Sequence, residues 1–342
     1  MTPALLLCGG RATRLRPLSD ELPKALMPLG PTCVFELQLL WLRQHGVAEI
    51  TVAAGGATDA IQERFGRGDG FAVNLAYVPE QEPLGSGGVL RTAAANWREP
   101  FWVINGDVLT ALDLPLMAEQ HTATGAMASI ALAAVDDVSE FGVVELGPCA
   151  EILRFAEKPD PRDAPSRFVN AGVWRIEPAA LALLPPSGSA SVEYDLFPAI
   201  RSQGGRLQGF LVDGYWLDLG TPERYRRAAM DLVADRVPTP GRWPEVRDGR
   251  FIGRRSTVGD AATVTSSLVG ARCAVRAGAR IERSVLWDEV DIGAGATVRD
   301  SIIGSSARIA PGVTIDGAVV GQRSLVTRDL APGEQVPTGK RA

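Results

Sequence analysis

Residues 5–17 have the sequence LLLCGGRATRLRP, an apolar run that ends in two glycines and a basic loop. The apolar run is typical of a buried strand. Gly9 and Gly10 allow a sharp turn in which backbone N–H groups face an anion with no Cβ in the way. Arg14, and Lys24 further along, add positive charge suited to phosphate oxygens. The stretch predicts a strand followed by a phosphate-binding loop, although an ordinary turn with solvated arginines would have the same local pattern.

The bulk composition indicates a globular chain without a nucleic-acid partner. Its 342 residues are too many for one ordinary domain and comfortable for two, and 46% of them are hydrophobic. The net charge of −5 argues against general nucleic-acid binding, which requires a basic face. The four cysteines form no CxxC pair, and no apolar run approaches the length of a membrane span. We therefore expect a soluble, cytoplasmic protein with no membrane partner.

The first two-thirds of the chain alternate strand-like and helix-like segments. Strands are predicted at residues 4–8, 49–54, 72–78 and 101–105, and helices at 34–44, 58–65 and 87–97. This alternation predicts a doubly wound, Rossmann-like α/β domain. Ligands of such sheets bind beyond the carboxyl ends of the strands, where residues 8–10 and Asn105-Gly106-Asp107 are expected to lie.

From residue 126 onward, strands outnumber helices. Strands are predicted at residues 126–133, 143–146, 152–155, 169–176 and 206–212, and a closing helix at 222–236. Thr221 and Pro222 fit the N-cap and first position of that helix. The added strands predict a mixed sheet that carries a second ligand, and the proline-rich residues 237–247 predict a linker.

A 17-residue repeat fills the remainder of the chain. Three aliphatic series recur at this spacing: Ile252, Val269, Leu286, Ile303 and Val320; Val258, Val275, Ile292, Ile309 and Val326; and Val264, Ile281, Val298 and Ile315. Serines 267, 284 and 301 and glycines 278, 295 and 312 follow the same register. The repeat predicts a hexapeptide parallel β-helix of about five coils. Because its end coils need cover, we expect it to pack on the first domain or on another subunit of a homo-oligomer.

Six short motifs, in order, resemble those of the sugar-1-phosphate nucleotidylyltransferases, and the resemblance covers nearly the whole chain. They are GGRATRL at 9–15 with Pro23-Lys24, EPLGSG at 82–87, NGD at 105–107, FAEKP at 155–159, NAGV at 170–173 and GYWLDLGTP at 214–222. The resemblance implies a nucleotidyltransferase domain at 1–236, a linker at 237–247 and a left-handed β-helix at 248–342. One departure is Ala12, where the family usually has glycine. Since alanine disfavours positive φ, this residue bears on how closely the loop approaches a triphosphate.

The resemblance implies a reaction in which an oxygen of a sugar 1-phosphate attacks the α-phosphorus of an NTP and pyrophosphate leaves. The nucleophile is already an anion, so the site needs cations and a Mg²⁺ ion rather than a strong base. Mg²⁺ prefers carboxylates together with phosphate oxygens and water. The resemblance implies that Asp107 and Asp218, each at the end of an apolar strand, share this ion. Without the other motifs, each aspartate would be interpreted as a turn or cap residue.

The other site residues also come from the resemblance. Arg14 is expected to stabilise the leaving pyrophosphate and Lys24 to lie near the α-phosphate; the alternative is an ion pair with Asp20 or Glu21. The predicted nucleotide contacts are Gly9, Gly10, Thr13, Glu80, Gly85 and Ser86. The predicted sugar-phosphate contacts are Gly142, Glu157, Lys158, Asn170 and Gly172. A solvated surface pair is the alternative for Glu157 and Lys158. Glu193 and Asp195 are left out, because capping a helix would explain them equally well.

Glu80 bears on the choice of base. In relatives that use uracil or thymine, the residue five positions before the glycine that matches Gly85 is glutamine, whose amide pairs with a pyrimidine. A carboxylate only accepts hydrogen bonds, and guanine presents two adjacent donors. Glu80 therefore favours GTP, and the chain looks most like guanylyltransferases for mannose 1-phosphate and manno-heptose 1-phosphate. In the alternative, Glu80 is a solvated loop residue and Gln81 contacts the base.

Three other functions stay open. One is a thymidylyl- or uridylyltransferase acting on glucose 1-phosphate. Another is an acyltransferase in the β-helix, which is disfavoured because such enzymes need a histidine base and no histidine follows His121. The third is a catalytically silent regulatory subunit, which would be expected to have lost the phosphate cations or the metal carboxylates, whereas this chain retains them. His45 and His121 are expected in core or surface roles.

Overall fold

The protein is described by a computed structural model that covers residues 2–10, 12–78, 82–157, 160, 162–238 and 246–342. The chain forms two compact units: Met1–Gly10 with Gln38–Trp216, and Arg11–Leu37 with Leu217–Ala342. The domain boundaries at residues 236 and 247 stay a prediction. Residues 239–245 of the predicted linker lie outside the described residues.

Up to residue 233 the chain forms thirteen strands and six α-helices among the described residues, which alternate mainly before residue 105. The strands are β1 (Ala4–Leu7), β2 (Pro28–Leu29), β3 (Thr32–Cys33), β4 (Glu49–Ala53), β5 (Asn74–Tyr77), β6 (Phe101–Asn105), β7 (Val108–Thr110), β8 (Ala128–Ala134), β9 (Gly142–Leu146), β10 (Ile152–Glu157), β11 (Phe168–Ile176), β12 (Leu207–Leu211) and β13 (Trp216–Asp218). The α-helices are α1 (Val34–Gln44), α2 (Thr58–Phe65), α3 (Gly85–Ala93), α4 (Leu114–Thr124), α5 (Phe197–Ser202) and α6 (Pro222–Val233).

The first unit is built on a mixed sheet, as predicted. Among the described residues it has nine strands, in the order β10-β9-β11-β6-β1-β4-β5, with β8 beside β11 and β12 beside β8. β1 lies between β4 and β6 and is parallel to both, whereas β11 runs antiparallel to β6. The apolar run at Ala4, Leu5 and Leu6 is completely buried, because both faces of this central strand are covered. Since β4 and β6 flank β1 on opposite sides, the strand order reverses at β1.

Several predicted bounds are corrected. α3 spans Gly85–Ala93 rather than 87–97, β5 is shorter than 72–78, and α6 ends at Val233 rather than 236. His121 lies inside α4, a helix that the sequence analysis did not delimit. Its ring nitrogens lie 2.8 Å from Ser129 Oγ and 3.1 Å from Glu177 Oε1, and burial lowers its pKa. The predicted core role of His121 is therefore confirmed.

None of the α-helices in the described ranges is long and apolar enough to cross a membrane.

The repeat in the second unit folds as a parallel β-helix. Its strands are β14 (Val246–Arg247), β15 (Arg250–Ile252), β16 (Thr257–Val258), β17 (Thr263–Thr265), β18 (Leu268–Val269), β19 (Ala274–Val275), β20 (Arg280–Glu282), β21 (Val285–Leu286), β22 (Asp291–Ile292), β23 (Thr297–Arg299), β24 (Ile302–Ile303), β25 (Arg308–Ile309), β26 (Thr314–Asp316), β27 (Val319–Val320), β28 (Leu325–Val326) and β29 (Gln335–Val336). They form the sheets β14-β15-β18-β21-β24-β27-β29, β16-β19-β22-β25-β28 and β17-β20-β23-β26, in which β14 runs antiparallel to β15 and the other pairs are parallel. Residues 17 apart are partners, as Val269 with Leu286 and Val275 with Ile292. The predicted register is confirmed.

A ladder of buried serines joins successive coils. The backbone N–H of Ser284 donates to Ser267 Oγ, and that of Ser301 donates to Ser284 Oγ, both at 3.1 Å. Each hydroxyl in turn donates to a carbonyl two residues earlier, as Ser284 Oγ does to Glu282 at 2.7 Å. The serines that follow the repeat thus accept hydrogen bonds from buried backbone N–H groups at the corners of the coils.

The first sheet of the β-helix is apolar on both faces. Val269, Leu286, Ile303 and Val320 point into the core, and the residues before them point outward, because successive side chains alternate. The outward residues are nevertheless buried: Phe251, Leu268, Val285, Ile302 and Val319. Within the second unit, α6 contacts β18, and a Cβ built on Gly30 would lie 3.3 Å from Leu268 and 3.4 Å from Phe251. The outer face of this sheet is thus covered at least in part by residues 28–30 and α6.

We expect Ser284→Ala to lower the free energy of unfolding by about 1–3 kcal/mol, because it leaves the buried N–H of Ser301 without an acceptor. Chemical denaturation measures the change. Ser306→Ala is the matched control, since its hydroxyl bonds only the exposed Glu289 carboxylate, and we expect a change within about 0.5 kcal/mol. Equal losses in the two variants would contradict the role of the ladder.

Candidate active site

The ends of β1 and β6 meet at the point where the strand order reverses. Leu7 pairs with Asn105, and the N–H of Gly106 donates to the Leu7 carbonyl at 2.8 Å. A Cβ built on Gly106 would lie only 2.6 Å from Cys8 Sγ, so a larger residue would push the two strand ends apart. Gly9 and Gly10 therefore lie at the same sheet edge as Asp107, as the sequence predicts. In doubly wound sheets this is where ligands bind.

Gln38 fixes the turn that carries Asp107. Its buried amide nitrogen donates to the carbonyls of Asn105 at 2.8 Å and Val108 at 3.0 Å, one on either side of the aspartate. Asp107 itself is half-buried. A carboxylate held in this way enters the site at a fixed position, and nothing in the local sequence pattern identifies Gln38 as its support.

The NAGV motif forms an irregular segment of β11 beside this turn. The pairing of β11 with β8 shifts between Asn170 and Trp174. Gly172 has a φ of +72°, and a Cβ built on it would lie 2.8 Å from Asn105 Nδ2. Glycine is therefore required at 172 both by its conformation and by the close approach to the β6 end.

The side chain of Asn170 is held by three hydrogen bonds. Its oxygen accepts from the N–H of Gly172 at 3.0 Å and from Trp174 Nε1 at 2.9 Å, and its nitrogen donates to Glu193 Oε1 at 2.6 Å. Asp195 instead accepts from the N–H of Ser191 at 2.7 Å and caps its own turn. The two acidic residues that the sequence leaves equivalent therefore differ, and Glu193 is the one that contacts a predicted site residue.

The first turn of α3 lies against the segment that carries Glu193. Ser86 Oγ accepts from the N–H of Val192 at 2.9 Å. Gly85 has a φ of +68°, and a Cβ built on it would lie 2.5 Å from the Ala190 carbonyl oxygen. Packing against Ala190 is thus sufficient to require glycine at 85, and the predicted contact of Gly85 with a nucleotide stays a prediction.

These contacts form a continuous row within the first unit. It runs from the β1 end through Asn105 and Gly172 to Asn170, and then through residues 190–193 to Ser86. Some of the residues predicted to contact the nucleotide, the metal and the sugar thus occupy one row, although they are far apart in sequence, whereas Thr13, Arg14, Lys24 and Asp218 belong to the second unit.

In the second unit, the basic loop forms three short 3₁₀ turns, Thr13–Leu15, Leu18–Asp20 and Lys24–Leu26. Arg14 and Thr13 are exposed, and Lys24 is half-buried. Ala12 precedes the first turn with φ 45° and ψ 39°, in the left-handed region that glycine favours. Its carbonyl accepts from the N–H of Leu15 at 2.9 Å and from Ser19 Oγ at 2.8 Å. Ala12 therefore adopts a left-handed backbone conformation, which is unfavourable for alanine.

Asp218 lies among basic groups of the same unit. It forms an ion pair with Arg224, and its Oδ1 accepts from the N–H of Gly220 at 2.9 Å. Both side chains of the pair are about four-fifths buried, with exposures of 17% for Asp218 and 19% for Arg224. A Cβ built on Gly220 would lie 2.8 Å from Asp218 Oδ1 and 2.9 Å from Arg14 Nη2. Arg224 is thus a residue that the sequence analysis missed.

The other predicted residues are placed as follows. Gly142 begins β9, and its backbone pairs with that of Glu157 at the end of β10. Glu80 and Lys158 lie outside the described residues, as does Gln81. Asp20 lies 3.4 Å from Arg16, and Glu21 forms an ion pair with Arg323. The alternative given for Arg14 and Lys24 was a different one, an ion pair of either residue with Asp20 or Glu21.

The donor chemistry around Asp107 and Asp218 suits Mg²⁺, because carboxylates are hard oxygen ligands. Within the described ranges, no group of three or more His, Cys, Asp or Glu side chains is arranged to hold a metal. Mg²⁺ commonly takes one or two carboxylates and completes its shell with phosphate oxygens and water. Asp107 belongs to the first unit and Asp218 to the second, and their role as ligands of one ion stays a prediction.

Comparison with known proteins identifies the family. The nucleotidyl transferase family model matches residues 3–235, and the model of the EIF2B subunit epsilon LbH domain matches residues 240–331. The chain therefore belongs to the nucleotidyl transferase family. A β-helix of the LbH class follows its nucleotidyl transferase domain.

Named relatives fall into more than one specificity. Mannose-1-phosphate guanylyltransferase of Mycobacterium tuberculosis is 31% identical over 239 residues, which cover 69% of this chain and 66% of that protein. UTP–glucose-1-phosphate uridylyltransferase of Synechocystis sp. is 32% identical over 267 residues, which cover 73% of this chain and 68% of that protein. The crystal structure of HddC from Yersinia pseudotuberculosis complexed with GMP-PN matches with a TM-score of 0.58 and 25% identity, covering 67% of this chain and 98% of that one.

We expect Ala12→Gly to raise the free energy of unfolding by up to about 1 kcal/mol, because glycine adopts the left-handed conformation without the steric penalty of alanine. Denaturant unfolding measures the change. The matched control is Ala123→Gly in α4, an exposed helical alanine, which we expect to lower stability by about 0.5–1 kcal/mol. A loss of stability in both variants would show that residue 12 carries no such strain.

Proposed function

We propose that this protein transfers a nucleotidyl group from an NTP, with GTP favoured, to a sugar 1-phosphate of the mannose or manno-heptose type, releasing pyrophosphate. The observation that carries the proposal is the row of contacts that joins Ser86, Asn170, Gly172 and the β6 end that bears Asp107. Membership of the nucleotidyl transferase family supports the class of reaction. The similarity to a mannose-1-phosphate guanylyltransferase and to a protein crystallised with GMP-PN supports the choice of base.

In the proposed reaction, an oxygen of the sugar phosphate forms a bond to the α-phosphorus while the bond from that phosphorus to pyrophosphate breaks. The chain's task is to bring two anions together and to offset the charge that moves to the leaving group. Arg14 is assigned to the leaving pyrophosphate and Lys24 to the α-phosphate. Asn170, already oriented by Gly172 and Trp174, is assigned to the sugar.

Asp107 and Asp218 are the proposed ligands of Mg²⁺. When bound, the ion would offset charge on the phosphate oxygens. Gln38 holds the turn of Asp107, and the ion pair with Arg224 holds Asp218. Arg224 is therefore proposed to orient this carboxylate rather than to react.

A uridylyltransferase acting on glucose 1-phosphate is the second candidate, because the Synechocystis relative has that name and a similar identity. The two candidates differ in both substrates. A panel of nucleotides and sugar phosphates therefore separates them.

We expect pyrophosphate release that depends on Mg²⁺ and is fastest with GTP and mannose or manno-heptose 1-phosphate. Asp107→Asn and Asp218→Asn are each expected to reduce kcat by about a hundredfold or more, because each removes a charged metal ligand. A coupled pyrophosphate assay over GTP, dTTP, UTP and ATP measures both effects.

Two control variants accompany this assay. Asp59→Asn changes an exposed carboxylate at the start of α2 and should leave the rate unchanged. Arg224→Met removes the ion-pair partner of Asp218 but leaves the Asp218 carboxylate charged. This variant therefore separates the loss of a metal ligand from the loss of the ion pair. Near-normal turnover in Asp107→Asn or Asp218→Asn would remove that residue from the metal site. No release with any pair of substrates would favour the regulatory subunit.

We expect Glu80→Gln to shift the preference from GTP towards UTP or dTTP, because an amide offers a pyrimidine both a donor and an acceptor. The ratio of kcat/KM for GTP to that for UTP measures the shift. Glu82→Gln, the same change two residues away, is the matched control and should keep the ratio. If Gln81→Ala alters the ratio while Glu80→Gln does not, Gln81 contacts the base instead.

A homo-oligomer formed through the β-helix and a cytoplasmic location both stay predictions.

A further inference from the structure

The basic loop is attached at three places within the second unit: twice to the last coils of the β-helix, and once to α6, which is itself bonded to the β-helix through Trp287. The attachment points in the loop are Pro17 with its neighbour Asp20, then Glu21, and then Pro28. Arg14 precedes the first point, and Lys24 lies between the second and third. Arg14 and Lys24, the two cations assigned to the triphosphate, thus lie on a segment that is bonded by residues some 200–320 positions later in the chain.

The first two attachments come from the last coils. Thr338 Oγ1 donates to the Pro17 carbonyl at 3.3 Å and lies 3.5 Å from Asp20 Oδ2. Arg323 forms an ion pair with Glu21, and the hydrogen bond from Arg323 lowers the pKa of that carboxyl. Glu21 therefore stays charged at neutral pH, and the pair persists there.

The third attachment is buried. Tyr225 of α6 donates its hydroxyl hydrogen to the Pro28 carbonyl and accepts from Trp287 Nε1 at 2.9 Å. Both rings are almost fully buried and meet edge to face, with centroids 6.4 Å apart. Because the polar atoms of Tyr225 have no access to water, removing the hydroxyl leaves the indole N–H and the carbonyl without this partner.

We infer that the β-helix positions the triphosphate-binding loop, with Arg323 and Tyr225 as positioning residues for Arg14 and Lys24. The inference rests on the proposed function for its kinetic consequence, since it assigns the β-helix a part in nucleotide binding. Neither residue is assigned a contact with the reacting atoms, since Arg323 bonds Glu21 and Tyr225 bonds Pro28 and Trp287. Their effect is to restrict the loop to the conformation that receives the triphosphate, which lowers the entropy lost when it binds.

The kinetic test separates loop positioning from general stability. Arg323→Ala is expected to raise KM for GTP by about two- to fivefold, the range of an exposed ion pair. Tyr225→Phe is expected to raise it by about tenfold, because a buried donor and acceptor lose their partner. KM for the sugar phosphate should not change in either variant. Thermal unfolding is measured alongside, and the KM values are compared at temperatures where every variant is folded.

Arg272→Ala is the matched control for Arg323→Ala. Arg272 is a β-helix arginine of similar exposure, 50% against 55%, and it also pairs with a glutamate, but its partner Glu289 belongs to the β-helix itself. It should leave both KM values unchanged. The charge-reversed double variant Glu21→Arg with Arg323→Glu should restore the KM for GTP that each single variant raises.

Hydrogen–deuterium exchange provides a readout that needs no activity. Peptides covering residues 12–28 should exchange faster in Arg323→Ala and Tyr225→Phe than in the wild type or Arg272→Ala. Unchanged exchange of these peptides, or equal increases in both KM values, would overturn the inference. If the wild type releases no pyrophosphate with any NTP, the proposed function fails, and exchange alone then decides whether the β-helix holds the loop.

Discussion

The close approach of two strand ends determines where the site of the first unit lies. Gly106 rests against Cys8 with no space for a Cβ, and its N–H bonds the carbonyl of Leu7. This contact keeps the turn after β6 beside the glycines that follow β1, at the point where the strand order reverses. Gly172 then approaches Asn105 equally closely. Because Gly106 and Gly172 have no side chains, the ends of β1 and β6 and the irregular segment of β11 can converge. The polar groups between these segments are oriented by hydrogen bonds to the backbone.

A different constraint shapes the second unit. An outward residue of a β-helix strand normally meets water, but the first sheet is apolar on its outer side as well, from Phe251 to Val319. Covering such a face is strongly favourable, at roughly 25 cal/mol per Å² of buried apolar surface. Residues 28–30 and α6 lie on it, which brings the basic loop close enough for Arg323 and Thr338 to bond it. The β-helix is therefore part of the loop's environment and not only a separate repeat domain.

The sequence was informative about the site to the extent that short motifs carry it. Gly9, Gly10 and Asp107 lie at a sheet edge, as their motifs indicate, whereas the irregular segment that holds Asn170 was not predicted. Gln38 and Glu193 were missed or left open, because each acts through a partner far away in sequence: the turn of Asp107 for Gln38 and the side chain of Asn170 for Glu193. Arg224 was also missed. Arg224 is only six residues from Asp218, but arginines are frequent in that helix, so charge alone did not single it out.

Local patterns by themselves determined the alternation of strands and helices from β1 to β6 and the 17-residue register of the β-helix, in which the serines also fall, because each follows from periodic burial along neighbouring residues. That the residues before the inward-pointing aliphatic series of the first β-helix sheet are buried as well, so that this sheet is covered on both faces, emerged only from the structure. Only the tertiary structure decided that residues 11–37 join the β-helix unit and that Tyr225 links Pro28 to Trp287. Those choices depend on the fit of surfaces remote in sequence, and no local periodicity encodes such a fit.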